Sequence, residues 1–228
     1  MGNVQGCDLA FGGALVVVAA VVFSVHRLFF TVLIRYPWSG LVVAEEQKVR
    51  DKSEKVMFAG SLNPPHHGHI AMITYLAERY GEVVVVIGIN PKKNYKVSPA
   101  RRKKLLEDMI TGSKIKGKVQ VEVVAGYIWR FALRENVSIM FRGIRSWKRD
   151  GSDERLLFLQ NTWGPILLGP LKWPLPQHFL EGKPEYNHIS STLIRDMCLE
   201  AKKEGKKPNL NALVPKSTAD DVAKLYSS

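Results

Sequence analysis

The chain has 228 residues, 46% of them apolar, which is enough for one ordinary domain with a full hydrophobic core plus an extension. Intrinsic disorder of the whole chain is therefore excluded. Lys and Arg number 33 against 21 Asp and Glu, a net charge of +12, so the favoured partners are anionic: nucleic acid, a membrane surface or phosphorylated small molecules. Two unrelated cysteines, Cys7 and Cys198, argue against a disulfide scaffold and favour a reducing compartment.

Residues 1–44 form a hydrophobic segment that differs from the rest of the chain. Its apolar run, residues 10–34, is interrupted by His26 and Arg27, so it reaches the ~20 residues of a spanning helix only if Arg27 snorkels or the helix tilts. We expect an N-terminal hydrophobic helix there, a possible membrane anchor that leaves the following domain in the cytosol. The alternatives are a buried helix of the globular domain, or a leader whose loss gives a soluble cytoplasmic or organellar protein.

A polar linker over residues 45–54 and one α/β domain over residues 55–228 are predicted next. Residues 55–60 and 83–89 are apolar runs of the kind found in parallel strands that are covered on both faces. Apolar residues recur between them at helical spacing, at Ile70, Ile73, Leu76, Ala77 and Tyr80. Strand, helix and strand together predict a βαβ unit.

The same alternation continues along the chain. We predict a helix over residues 98–109, a strand over 118–124, a helix over 127–135 and a strand over 137–141. Residues 163–176 are rich in Gly and Pro and read as an irregular connection. The pattern predicts a Rossmann-like, doubly wound parallel sheet, whose ligands bind beyond the carboxyl ends of the strands.

The loop after the first predicted strand reads GSLNPPHHGH over residues 60–69. Its first glycine permits a tight turn, Ser61 and Asn63 offer hydrogen bonds, and two prolines stiffen the approach to a helix. Because a helix N-terminus carries partial positive charge and free N–H groups, the loop is predicted to bind phosphate. His66 and His69 can both face the ligand, since the glycine between them adds no side chain.

Two other interpretations of these histidines are weaker. Paired histidines near a helix start can bind zinc, but no third ligand lies at a suitable spacing, so no metal site is predicted. Surface histidines without a role would fit either one alone, but not both within the Gly-Ser-x-Asn-Pro context.

A second candidate phosphate site lies far along the chain. Residues 189–195 read ISSTLIR and open a late helix, where hydroxyls and free N–H groups can bind anionic oxygens and Arg195 adds a full positive charge. An ordinary N-cap is the alternative for Ser190. We expect the two segments to converge on one polyphosphate.

With these motifs the chain resembles the HxGH nucleotidyltransferases, which carry a cytidylyltransferase-like domain. Their signature G-[ST]-F-[DN]-P followed by [HT]-x-G-H corresponds to residues 60–64 and 66–69, and their I-S-S-[ST] to residues 189–192. The resemblance implies the Rossmann-like fold of that superfamily.

Within the superfamily, residues 55–206 look most like the phosphopantetheine adenylyltransferases. The matching pieces are Asn90-Pro91-Lys92-Lys93, Gly126-Tyr127, Pro184-Glu185-Tyr186 and, as the most discriminating, Arg142-Gly143-Ile144-Arg145. The implied activity is adenylyl transfer from ATP to 4'-phosphopantetheine, giving dephospho-coenzyme A and pyrophosphate in coenzyme A biosynthesis.

Carried over by position, the resemblance implies contacts to both substrates. Ser61 and Lys93 would contact the phosphate of phosphopantetheine, Ile128 would line its arm, and Arg142 would help to hold it. The residues around ATP would be Leu62, His69, Gly143, Ile144, Arg145, Glu154, Tyr186, Asn187, His188, Ile189, Ser190, Ser191 and Thr192. Family members use Mg²⁺ with the triphosphate and usually assemble as homo-oligomers, and both are expected here.

Four residues are assigned to catalysis: His69, His66, Lys93 and Arg142. A phosphate oxygen of the acceptor attacks the α-phosphorus of ATP in line and pyrophosphate leaves, so charge on the nonbridging oxygens must be stabilised. His69 is assigned to the α-phosphate as transition-state stabiliser and His66 to a supporting contact, while Lys93 and Arg142 orient the acceptor. Arg145 and residues 190–192 are assigned to the β- and γ-phosphates.

The acidic residues after Arg145 depart from the family pattern D-F-E-Y-E. If one inserted residue is allowed, Asp150 and Glu154 align with the acidic pair of that pattern. Without the insertion, Asp153 aligns with the second member of the pair. We assign Glu154 to a ribose or metal-side contact, with a solvated helix start as the alternative. Leu62 also replaces the usual Phe.

The lysine- and arginine-rich stretches predict no nucleic-acid partner. Residues 92–104 and 202–207 are basic, but aromatic residues are not interleaved and no RNA- or DNA-binding signature is present. We interpret them as solvated helix faces that attract phosphorylated substrates. Two other functions remain open: a nicotinate or nicotinamide mononucleotide adenylyltransferase, and a membrane-tethered nucleotide-binding protein without turnover.

Overall fold

The computed structural model describes residues 13–25, 32–35, 53–91, 95–145 and 147–227. An N-terminal helix, α1, covers residues 13–25. The strands are β1 (Val32–Arg35), β2 (Lys55–Gly60), β3 (Glu82–Ile89), β4 (Lys118–Ala125), β5 (Ile139–Ile144) and β6 (Gln177–Glu181). The later helices are α2 (His67–Arg79), α3 (Pro99–Gly112), α4 (Ile128–Arg134), α5 (Trp147–Leu167), α6 (Ser191–Lys203) and α7 (Ala219–Tyr226), with short 3₁₀ turns at Pro184–Tyr186 and Lys216–Thr218.

The strands form one parallel sheet in the order β1-β6-β5-β2-β3-β4. The prediction of an α/β fold with a doubly wound parallel sheet is confirmed for the five strands from β2 onward. From β2 the chain moves outward to β3 and β4, then returns to β5 on the other side of β2. The strand order therefore reverses between β2 and β5, which is where such sheets bind ligands.

Alternate residues of the central strands supply two separate cores. Val83, Val85 and Ile87 of β3 belong to the larger core, which also holds apolar residues of α2, α3, α6 and α7. Val84 and Val86 belong to the smaller core with residues of α4. Because both faces of β3 are covered, the strand reads as a continuous apolar run, as predicted for a parallel strand.

Strand β5 begins and ends later than the sequence predicts. Arg142, Gly143 and Ile144 were expected after the strand, but they form its last three residues. The reason is a neighbour that the sequence analysis did not find: β6 pairs with β5 as far as Ile144, opposite Glu181.

The predicted irregular connection over residues 163–176 is helical in its first part. Helix α5 continues to Leu167 through Pro165, which lies in its last turn. Gly164 lies where this turn crosses the buried ring of Trp129, and a Cβ there would be 2.3 Å from the ring nitrogen Nε1. Long-range contact with a buried tryptophan has therefore extended the helix past residues that would locally end it.

The expectation of a membrane-associated location is wrong, whereas membrane association through residues 10–34 stays a prediction. Within the described residues, no helix is long and apolar enough to cross a membrane. The described part of helix α1 covers 13 residues of the apolar run. Residues 32–35, expected to continue the same apolar helix, instead form β1 beside β6.

Candidate active site

A cavity of about 370 Å³ opens at the carboxyl ends of β2, β5 and β6. It lies at the reversal of the strand order, where the fold predicts a ligand. Its lining comes from the start of α2, the end of β5, helix α5 and the segment from β6 into α6. These residues are His66, Gly68, His69, Met72, Gly143, Ile144, Arg145, Asp150, Glu154, Gly182, Tyr186, Asn187, Ile189, Ser190, Ser191 and Thr192.

The two predicted phosphate segments meet at this cavity. The Ser191 hydroxyl donates a hydrogen bond of 2.7 Å to the Pro64 carbonyl oxygen. Arg195 donates through Nη1 to the Asn63 carbonyl oxygen at 2.6 Å and through Nη2 to Thr192 Oγ1 at 3.0 Å. The start of α6 is thereby fastened directly to the loop after β2, as the sequence predicts.

Helix α6 begins with a capped N-terminus at the cavity. The Ser190 hydroxyl oxygen accepts a hydrogen bond of 3.1 Å from the Leu193 N–H, so Ser190 is an N-cap. The next two hydroxyls, of Ser191 and Thr192, line the cavity with it. The cap fixes the first turn, which presents hydroxyls and the positive end of the helix dipole to an anion.

His66 and His69 lie against each other at the start of α2. Their ring centroids are 3.8 Å apart, and Nδ1 of each ring is buried without a hydrogen-bond partner in the described residues. Gly68 makes this arrangement possible, because a Cβ there would be 3.1 Å from His66 Cε1 and 3.2 Å from its Nδ1. The glycine of the motif thus leaves room for the His66 ring.

Both imidazoles are neutral at pH 7. Burial lowers the pKa of His69 to about 4. Burial, with repulsion from His69, His67 and Arg145 in that order, lowers the pKa of His66 well below 6.5. A neutral imidazole can still donate one hydrogen bond, and it does not attract the phosphate as a full charge before the reaction.

The depressed histidine pKa values predict loss of stability in acid. Between about pH 4 and 6.5 the unfolded chain protonates His69 while the folded protein does not, so the free energy of unfolding falls as pH falls through that window. From pH 7 to pH 5 we expect His69 to contribute a loss of about 2 kcal/mol, measured by urea unfolding. His69→Gln should show a shallower pH dependence than the wild type; parallel profiles would contradict the prediction.

Both arginines of the Arg142–Arg145 segment are ion-paired with carboxylates of α5. Arg142 forms a bidentate pair with Glu154, through Nε to Oε2 and through Nη2 to Oε1 at 2.8 Å. Arg145 contacts Asp150 twice, with its backbone N–H at 2.7 Å and Nη2 at 2.6 Å. Asp150 and Glu154, which align with the family's acidic pair if one insertion is allowed, therefore lie on the side of α5 that faces Arg142 and Arg145. The side chain of Asp153 lies outside the described residues.

The predicted acceptor residues do not share one open cavity. Ser61 is exposed and lies on a second cavity of about 530 Å³. Ile128 and Arg142 line a narrow crevice between the sheet and α5. Lys93 lies outside the described residues.

Most of the residues predicted around ATP do share one cavity, with two exceptions. Leu62 is buried in the larger core with a positive φ of 46°, and His188 is exposed; neither lines the cavity of about 370 Å³. No cluster of three or more His, Cys, Asp or Glu side chains suited to a metal occurs in the described part of the chain.

A profile of the cytidylyltransferase-like family matches residues 57–197, which is more than half of the chain. The chain belongs to the cytidylyltransferase-like family. This membership confirms the resemblance drawn from the two motifs, and the matched region runs from β2 into α6, so it includes every wall of the cavity.

Curated relatives of this family member are phosphopantetheine adenylyltransferases. The enzyme of Aquifex aeolicus is 29% identical over 145 residues, covering 64% of this chain and 83% of its own length. That of Kocuria rhizophila is 30% identical over 140 residues, covering 61% and 82%. A solved Plasmodium falciparum nicotinic acid mononucleotide adenylyltransferase complexed with NaAD covers 76% of this chain and 97% of its own, with 16% identity and a TM-score of 0.49.

Sequence reasoning missed two lining residues of this cytidylyltransferase-like site. Met72 lies one helical turn after His69 on the same face of α2, and that spacing was a usable signal. Met72 packs so closely on the cavity floor that a Cβ on Gly143 would be 2.5 Å from its sulfur. Gly182 follows β6, whose short run over residues 177–181 gave no strand signal.

Proposed function

We propose that this chain is a phosphopantetheine adenylyltransferase, which transfers the adenylyl group of ATP to 4'-phosphopantetheine and releases pyrophosphate. The observation that carries the proposal is the contact between the HxGH loop and the ISST helix at one cavity. Curated relatives that are named phosphopantetheine adenylyltransferase support phosphopantetheine as the acceptor.

The chemistry needs charge stabilisation and no covalent intermediate. A phosphate oxygen of the acceptor forms a bond to the α-phosphorus, the bond from that phosphorus to the bridging oxygen of pyrophosphate breaks, and pyrophosphate carries away the electron pair. His69 donates a hydrogen bond to the nonbridging α-phosphate oxygens, where negative charge grows, and His66 supports the same group. Both imidazoles lie on the wall of the cavity, at the start of α2.

The triphosphate lies between α2 and α6. Ser190, Ser191, Thr192 and Arg145 bind its β- and γ-phosphates. Within the described residues the Arg145 guanidinium donates to Asp150 through Nη2, which leaves its other N–H groups for phosphate oxygens. The adenosine part lies against the remaining predicted ATP residues that line the cavity, which are Gly143, Ile144, Glu154, Tyr186, Asn187 and Ile189. Leu62 supports this site only from the core, and His188 lies outside the cavity.

The acceptor lies at the carboxyl ends of β2, β3 and β5. Ser61 and Lys93 contact its phosphate, Ile128 lines its arm, and Arg142 orients it. Glu154 accepts from Nε and Nη2 of Arg142, so Nη1 remains to donate to the acceptor. The bidentate pair holds the guanidinium in one plane, which a single charged contact would not do.

Mg²⁺ enters this proposal as part of the substrate MgATP. Asp150 and Glu154 are the carboxylates on the cavity wall, and each is ion-paired with an arginine. We therefore propose that the ion is bound mainly by phosphate oxygens and water. Assembly as a homo-oligomer stays a prediction.

The full chain supplied with MgATP and phosphopantetheine is expected to release pyrophosphate and form dephospho-coenzyme A. A coupled assay measures the pyrophosphate, and chromatography identifies the dephospho-coenzyme A. Pantetheine, which lacks the phosphate, is the matched control and should give no product. Turnover with nicotinate mononucleotide but not with phosphopantetheine would show that the proposed acceptor is wrong. Turnover with neither would favour a nucleotide-binding protein without catalysis.

A further inference from the structure

Arg102 is a charged side chain that the protein buries completely. It is the fourth residue of α3, and its relative exposure is 0%. The surrounding sequence is basic and was expected to be a solvated helix face, and its neighbour Arg101 is indeed exposed. Arginine is almost never fully buried unless it is paired, so Arg102 requires an explanation.

The interactions of Arg102 within the described residues are incomplete. Nη1 donates to the Ser61 carbonyl oxygen, and the guanidinium carbon lies 4.4 Å from the centroid of the Tyr95 ring. Nε and Nη2 are buried and have no hydrogen-bond partner, and no ion pair to Arg102 occurs in the described part of the chain. Burial lowers the pKa of Arg102, which reflects the free-energy cost of an uncompensated charge.

The guanidinium lies directly behind one wall of the second cavity. Two of the groups it contacts, Ser61 and Tyr95, line that cavity of about 530 Å³. Arg195 lines it too and holds the Asn63 carbonyl oxygen, while the Tyr226 hydroxyl donates to Asn63 Oδ1 at 2.7 Å. The loop after β2 is thus held by side chains of three helices: Arg102 of α3, Arg195 of α6 and Tyr226 of α7.

We infer that Arg102 is the buried positive charge of the acceptor-phosphate site: it fixes Ser61 by its carbonyl oxygen and is neutralised when a phosphomonoester binds against the Ser61 hydroxyl. The inference rests on the proposed function, in which Ser61 contacts the acceptor phosphate. Arg102 acts through Ser61 and through its electric field, so it is a positioning residue. In a buried environment such a charge is felt over several ångströms, because water screens it poorly.

The test compares Arg102→Met, Arg102→Lys and the matched control Arg101→Met, which removes an exposed arginine from the same turn. For Arg102→Met, the KM for phosphopantetheine should rise about tenfold or more, the effect of one lost charged interaction, while the KM for ATP changes less than about twofold. Its unfolding temperature without ligand should not fall, since an unpaired charge has been removed. Arg102→Lys should recover part of the acceptor affinity, and Arg101→Met should match the wild type.

Two results would overturn the inference. One is an equal rise of both KM values, which would indicate general damage to the fold. The other is an unchanged acceptor KM, whatever happens to stability. If Arg102→Met does not fold, Arg102→Lys decides the matter, because a smaller rise of about threefold in the acceptor KM alone is expected there.

A second readout separates this inference from the proposed function. Inorganic phosphate should raise the unfolding temperature of the wild type and of Arg101→Met, but not that of Arg102→Met. If the wild type shows no turnover of phosphopantetheine, the proposed function fails while this difference still supports an anion site at Ser61. If phosphate stabilises all three proteins equally, the assignment of Arg102 is wrong.

Discussion

His69→Ala is expected to lower kcat by about 10² to 10³-fold, or about 3 to 4 kcal/mol, while the Kd for ATP changes by less than about threefold. The asymmetry follows from the role of His69, whose hydrogen bond matters most when negative charge grows on the α-phosphate. The measurements are pyrophosphate release at saturating substrates and calorimetric titration with ATP. Folding should survive the change, since His69 Nδ1 has no hydrogen-bond partner to leave unpaired in the described residues.

His67→Ala is the matched control for this prediction. His67 lies on the same helical turn, but it stacks on Tyr186 at 5.6 Å between ring centroids and lines a different cavity. Its kcat should therefore stay within about twofold of the wild type. An unchanged kcat in His69→Ala would remove His69 from its assigned role, and loss of ATP affinity to the same extent as kcat would show that it binds the ground state.

Glu154→Leu should lower the free energy of unfolding by about 3 to 5 kcal/mol, the cost of leaving a mostly buried arginine without its counter-ion. The side chains of Arg142 and Glu154 are only 17% and 11% exposed, so solvent screening is weak. Urea unfolding at pH 7 measures the effect. A loss below about 1 kcal/mol would mean that the pair behaves as a surface ion pair.

The double variant Arg142→Met/Glu154→Leu separates stability from function. Replacing both charges by apolar side chains should recover stability to within about 1 kcal/mol of the wild type, because no unpaired charge remains. Acceptor affinity should not recover, because Arg142 is proposed to orient phosphopantetheine. A stable double variant with normal acceptor KM would contradict that role.

The sequence predicted the segments whose pattern is local. The apolar run of β3, the capped start of α3 at Ser98 and the GSLNPPHHGH loop each depend on residues close together in the chain. Residues 60–69 and 189–195 were each predicted to bind phosphate at a helix N-terminus, so their convergence on one polyphosphate was expected although β6, the strand before the second segment, was not predicted.

Elements that depend on distant partners were not predictable. Strand β6 starts with Gln177 and His178, two polar residues; Gln177 is buried because Asn161 and Thr162 of α5 bind its side chain. Residues 32–35 read as part of an apolar helix until β6 is available for them to pair with. Hydropathy reports how much apolar surface a segment has, but not which surface covers it.

The sequence by itself determined the fold class, the two phosphate-binding motifs and the family. Only the tertiary structure decided that Glu154 pairs with Arg142, that Asp150 pairs with Arg145, and that Arg102 is buried while Arg101 is exposed. The physical reason is that propensity and periodicity are set by neighbours along the chain. The environment of a charge is instead set by whichever groups folding brings beside it, and a shift of one residue along a helix changes them.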